Sequence, residues 1–106
     1  MNNILLSTYD PRYLKVILHK SRYLSHVQMR HLVSVDIICE GIENPDFIAQ
    51  DTKSDFIENY YTLGILENEP DAFLKICVLF KEGYGRVITA FDVGHLKRTE
   101  EILWQK

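Results

Sequence analysis

Arg22, His26 and Arg30 recur at intervals of four. On a helix of 3.6 residues per turn they form one stripe, an imidazole between two guanidiniums. An imidazole exchanges a proton near neutral pH, and a guanidinium grips phosphate through a rigid fork of donors. Two positive neighbours disfavour the imidazolium, which suits a general base. Together these groups have the makings of phosphodiester chemistry. The plainer alternative for His26 is a surface histidine on a solvated basic face. His31 falls on an adjacent, mostly apolar stripe with Tyr23, Leu24 and Val27, where packing is its simplest role. His19 and His95 stand without a constellation.

Two residues of the second half can add to this chemistry. Lys75 and Thr89 lie in apolar runs that read as neighbouring strands, where an ammonium and a hydroxyl can meet a phosphate. Solvated strand residues are the plainer reading of both. No CxxC, HExxH or close run of Asp, Glu and His is present, nor a glycine-rich phosphate loop or a GxSxG elbow. No metal and no cofactor is therefore expected.

The elements that would carry these residues follow from apolar spacing and turn chemistry. Residues 13–18 (YLKVIL) read as a strand, against the competing helix that Asp10 and Pro11 would start. Ser21 is a suitable cap for a helix over 21–32, and Ser34 for a second over 35–43 that Asn44-Pro45 ends. Strands are predicted over 47–51, 56–63, 73–80 and 86–91, with turns at 68–71 and 82–85 and a last helix over 95–104. Alternation puts Leu74, Ile76, Val78 and Phe80 on one face of their strand, and Lys75, Cys77 and Leu79 on the other. Thr89 shares a face with Val87 and Phe91 by the same rule. The expected class is α+β, with N-terminal helices packed on a curved antiparallel sheet of four to five strands, as one domain over 1–106.

Composition sets outer bounds. The 106 residues suit one domain, and 46% hydrophobic residues suffice for one core. No run approaches the roughly 18 apolar residues of a membrane span. Ile4-Leu5-Leu6 follows no basic segment, so no signal peptide is expected, and Cys39 and Cys77 fit buried reduced thiols of a cytoplasmic protein. The net charge is −3, but the charges are segregated. Residues 11–35 hold five Lys/Arg and no acid, whereas 36–72 hold ten acids and one Lys. Screening makes fields local, so a basic surface can bind phosphate on an acidic chain. No helix-turn-helix spacing stands out, and the overall charge disfavours a DNA-binding protein.

Taken together, several segments resemble the barnase–EndoU–colicin–RelE nuclease superfamily, in its phage-borne and toxin-like members. They are Leu14 to Leu18, Arg22-Tyr23-Leu24-Ser25-His26-Val27, Arg30-His31, the run Ile42-Glu43-Asn44-Pro45-Asp46-Phe47-Ile48, and Val87-Ile88-Thr89-Ala90-Phe91. The resemblance implies helices on a curved antiparallel sheet and metal-independent RNA cleavage by attack of the 2′-hydroxyl on the adjacent phosphorus. It implies that His26 is the acid/base residue, that Arg30 and His31 assist, and that Thr89 contacts phosphate or hydroxyl. Lys75 and Lys81 become candidates for the transition-state cation, and Arg22 for substrate binding. The partners it implies are RNA and, for a toxin, an antitoxin or immunity protein. A different class of function, a silent protein-binding module on the same fold, would use aromatics such as Tyr60, Tyr61 and Trp104 at an interface.

Overall fold

The structure, a computed structural model, describes residues 3–28, 33–96 and 99–106, with the backbone alone at 26–28. The chain opens with a β-hairpin, β1 (Ile4–Tyr9) and β2 (Lys15–His19). Asp10 builds the turn between them. Its buried carboxylate accepts from the amides of Arg12 and Leu14, at 2.8 and 3.0 Å, and from the Tyr60 hydroxyl at 2.6 Å. The Arg12 guanidinium meets the same carboxylate at 2.8 Å and Glu58 at 2.7 Å. This anchoring offsets the left-handed backbone of Tyr13, at φ 67°, which costs a non-glycine residue roughly 1–2 kcal/mol.

β2 leads into one helical turn, α1 (Lys20–Arg22), which widens into a π-helical segment, Tyr23–Gln28. Helix α2 (Val35–Glu43) follows. Ser34 caps it, its hydroxyl accepting from the Ile37 amide at 3.2 Å. Ile38 and Ile42 are fully buried, and each contributes about 1.5–3 kcal/mol by leaving water. The remaining strands are β3 (Phe47–Gln50), β4 (Ile57–Leu63), β5 (Phe73–Phe80), β6 (Gly85–Val93) and β7 (Ile102–Gln105).

Among the described residues, seven strands form one sheet in the order β1-β2-β6-β5-β4-β3-β7. Every pairing is antiparallel except β2 with β6. Ile48, Tyr60, Ile76 and Ala90 stand opposite one another across four strands and are buried in the core that α2 covers. One residue along, Ala49, Asn59, Cys77 and Thr89 form the matching row on the other face. No helix among the described residues is long and apolar enough to cross a membrane.

The expected class is corrected by this architecture, which is mostly sheet with two short helical segments. A hairpin, not a helix, comes first, because the uncharged run Ile4–Tyr9 pairs along β2. The long helix expected from Ser21 is a single α-turn that widens, and the Ser25 hydroxyl donates to the Ser21 carbonyl at 2.8 Å. Such back-bonding competes with regular helical geometry. Residues 29–32 of that expected helix lie outside the described residues. The last helix is replaced at its end by β7, which covers the edge of β3, with Gln50 donating to the Glu101 carbonyl at 2.8 Å. An unpaired sheet edge outweighed local helix propensity. Tyr60 and Tyr61 are buried rather than displayed, and Leu24 is exposed rather than packed.

Candidate functional site

β2 and β6 pair only at Val16–Gly85 and Ile17–Arg86. Past that rung α1 and the π-helical segment replace β2 alongside β6. Two elements bearing basic residues are thereby brought together. β6 itself is irregular. Leu79 pairs with Arg86 and Val78 with Val87, but Cys77 pairs with Thr89. Ile88 is the extra residue of a β-bulge. Leu79 and Cys77 share a face of β5, so Arg86 and Thr89 share it too, three positions apart. The bulge also separates Thr89 from Val87, which turns into the core at 2% exposure. That corrects the face expected to be shared with Val87, whereas Thr89 and Phe91, opposite Cys77 and Lys75, do share one as alternation predicts.

Between β2, α1 and β6 lies a cavity of about 180 Å³. His19, Ser21, Arg22 and Arg86 supply its polar lining, and Leu79 and Ile88 are among its apolar walls. Among the described residues, no carboxylate lines it. Arg86 meets Glu82 at 3.8 Å with both side chains substantially exposed, a pairing worth little in water. Two guanidiniums, an imidazole and a hydroxyl around one small space form a donor-rich receptor for an anion. A second cavity, of about 320 Å³, has the opposite character. Val33, Ile37 and Leu66 line it together with Glu67, Glu69 and Asp92. There the Glu69 carboxyl is pushed up by its hydrogen bond with Asp92, as expected where two acids crowd. Phosphate would be repelled from that end and drawn to the basic one.

Of the residues singled out by sequence, Arg22 lines the basic cavity. His26 lies in the π-helical segment that packs beside β6, and its side chain lies outside the described residues. Arg30 and His31 also lie outside them. Thr89 follows Ile88 on β6, on the same face as Arg86. Lys75 is placed elsewhere, its ammonium 5.9 Å from the Tyr61 ring centre and 5.6 Å from that of Phe91. Lys81 likewise sits 5.4 Å over Phe56. Neither lysine lines the cavity.

Sequence reasoning missed His19, Ser21 and Arg86. His19 precedes Arg22 by three residues, but only the parallel pairing of β2 with β6 brings it towards Arg86.

The same face of the sheet carries a second polar group. Glu100 accepts from the Tyr61 hydroxyl at 2.7 Å and from the Asn59 amide at 3.1 Å. Burial pushes the Tyr61 phenol up and the Cys77 thiol up to about 11, the latter partly opposed by Lys75. Cys77 is thus a buried neutral thiol rather than a nucleophile.

No family model, no curated protein and no solved structure matches the chain.

Proposed function

We propose that the protein is an endoribonuclease that cleaves RNA by transesterification, without a metal ion, at the basic cavity between β2, α1 and β6. The observation that carries this reading is the convergence of Arg22 and Arg86, from distant parts of the chain, on one cavity that has no carboxylate among its described lining residues. The segment bearing His26 runs directly on from it. A π-helical turn is rare and is found often at functional sites.

In the proposed reaction the 2′-oxygen attacks the adjacent phosphorus and the bond from phosphorus to the 5′-oxygen breaks. His26 takes the 2′-hydroxyl proton, and the departing 5′-oxygen takes up a proton. Arg22 and Arg86 offset the charge that builds on the non-bridging oxygens. Thr89 donates its hydroxyl to the same phosphate, and Arg30 and His31 assist, as the resemblance to the nuclease superfamily implies. The products are a 2′,3′-cyclic phosphate and a 5′-hydroxyl. The test is incubation of purified protein with a labelled single-stranded RNA in EDTA. Fragments ending in cyclic phosphate support the reading, and intact RNA opposes it.

A second reading has one observation in its favour. Leu5, Tyr9, Tyr13 and Leu14 are exposed around the first hairpin, Tyr13 at 86%. Such a group suits a protein partner, as an antitoxin, an immunity protein or the target of a silent binding module would be. Expression in cells separates the two. A toxic ribonuclease arrests growth and His26→Ala relieves the arrest, whereas a binding module does neither.

A further inference from the structure

β1 is an outer strand of the sheet, paired with β2 on one side only. The Asp10 amide donates to the Leu14 carbonyl at 2.9 Å, and the pairing runs on through Tyr9–Lys15, Thr8–Val16, Ser7–Ile17 and Leu6–Leu18. In an antiparallel pair, residues bond across the ladder at alternate positions. Thr8 and Leu6 therefore bond to β2, and the N–H and C=O of Ser7 and Tyr9 point out of the edge. Among the described residues, no strand pairs with that edge. Edges are commonly closed by lysine, proline or bulges. β1 carries no charge and no proline, and its one irregularity, between Ile4 and Leu6, leaves Leu6 to Tyr9 regular.

We infer that this edge accepts an extended peptide as a further strand, and that the peptide alternates lysine or arginine with apolar residues. The inference names the kind of partner that the exposed hairpin suits, and it does not depend on the ribonuclease reading.

The two faces of β1 dictate the alternation. Leu6 and Thr8 turn towards α2, and the Thr8 hydroxyl donates to the Glu43 carboxylate at the end of that helix. Asp36, Glu40 and Glu43 are spaced by four and three, so they form one acidic stripe on α2, which packs against β1. All three are exposed, and among the described residues no ion pair involves them. A strand laid beside β1 would set every second side chain next to this stripe, where a cation is favoured and a carboxylate is repelled. The side chains between would lie beside Tyr9, 56% exposed, and Lys15 opposite it. There an apolar residue covers the ring and a cation is repelled.

The same charges disfavour a second copy of the chain. Two β1 strands pairing antiparallel about a two-fold axis would put both α2 helices on one side of the joined sheet, with their acidic stripes turned towards each other.

The probe is a fluorescein-labelled synthetic peptide alternating lysine and valine. Its controls are the same peptide N-methylated at every second backbone nitrogen, which keeps the charge but cannot pair, and a peptide alternating glutamate and valine. Fluorescence anisotropy is expected to show binding of the first peptide and neither control. Glu40→Lys should weaken that binding several-fold. Ser7→Pro, which removes one outward amide at a position where an edge tolerates proline, should weaken it about tenfold. Amide hydrogen exchange by NMR needs no variant, so it holds whatever Ser7→Pro does to folding. With the lysine–valine peptide bound, the Ser7 and Tyr9 amides should exchange at least tenfold more slowly. No binding, equal binding of the N-methylated peptide, or protection that spares Ser7 and Tyr9 would overturn the proposal. So would protection of these amides without peptide, rising with protein concentration as a dimer forms, because a second copy would then occupy the edge. RNA cleavage in EDTA is scored separately, so loss of either conclusion leaves the other standing.

Discussion

Arg86 and Thr89 lie three residues apart on one strand yet face the same side of the sheet, because Ile88 bulges between them. A regular strand would have turned one of them into the core beneath α2. The bulge lets the segment that carries the basic cavity also present a hydroxyl to the same face.

If Arg22 and Arg86 hold a phosphate, removing either guanidinium weakens RNA binding. A hydrogen bond to a charged group contributes about 1.5–3 kcal/mol, so Arg22→Ala or Arg86→Ala should each lower affinity about ten- to a hundredfold. Fluorescence anisotropy with a labelled single-stranded oligonucleotide reads this. Glu82→Gln, whose exposed carboxylate meets Arg86 at 3.8 Å and accepts from the Tyr84 hydroxyl at 3.3 Å, should leave affinity unchanged or slightly higher. Full affinity in the arginine variants would move the phosphate elsewhere.

Gly85 precedes Arg86 and stands where β6 meets β2. A Cβ there would lie 2.5 Å from a Val78 methyl and 2.8 Å from the Phe80 ring. Gly85→Ala should therefore destabilise the fold by about 1–3 kcal/mol through overpacking. Gly94→Ala, with no described residue within 4 Å, should be close to neutral. Urea unfolding of the two variants side by side checks the contrast.

The turn that aligns β1 with β2 depends on Asp10. Its side chain is wholly buried and gathers Arg12, Tyr60 and two backbone amides. Arg12→Ala leaves that carboxylate without its cation and should cost about 3 kcal/mol, as breaking buried pairs does. Glu58→Gln, at the partly exposed end of the same group, should cost less than about 1 kcal/mol. Denaturation midpoints that rank the two in the opposite order would refute this account of the turn.

Alkaline pH should expose the cost of burying Cys77. Its thiol is raised from 9.0 to about 11, chiefly by burial. The folded state therefore binds a proton that the unfolded chain has already released above pH 9. The resulting stability is present in full below about pH 9 and lost between about pH 9 and 11, up to about 3 kcal/mol. Cys77→Ala should flatten that part of the stability profile in urea titrations. At neutral pH, iodoacetamide should modify the native thiol far more slowly than the unfolded one.

Much of the sheet was legible residue by residue. The run from Phe73 to Phe80 carries its own strand signal, alternating large apolar residues with Lys75 and Cys77, and it is a strand over that span. Ser34 and Asn44-Pro45 bracketed α2 as capping chemistry requires. What could not be read is whatever depends on partners distant in sequence. Ile4 to Tyr9 carries no turn or charge signal of its own and becomes a strand by pairing with β2. Ile102 to Gln105 follows a segment with helical spacing and becomes a strand because β3 offers an edge. The site suffers most from this. Arg22 was visible through its spacing from His26, but His19 and Arg86 meet only through a parallel pairing of two rungs, which no local pattern encodes.

The most direct test of RNA transesterification follows the phosphorus itself. A short RNA is incubated with the protein in EDTA and monitored by phosphorus NMR. The expected result is a growing cyclic phosphodiester resonance with the wild-type protein and none with His26→Ala. A spectrum in which the wild-type protein leaves every diester signal unchanged would contradict the account.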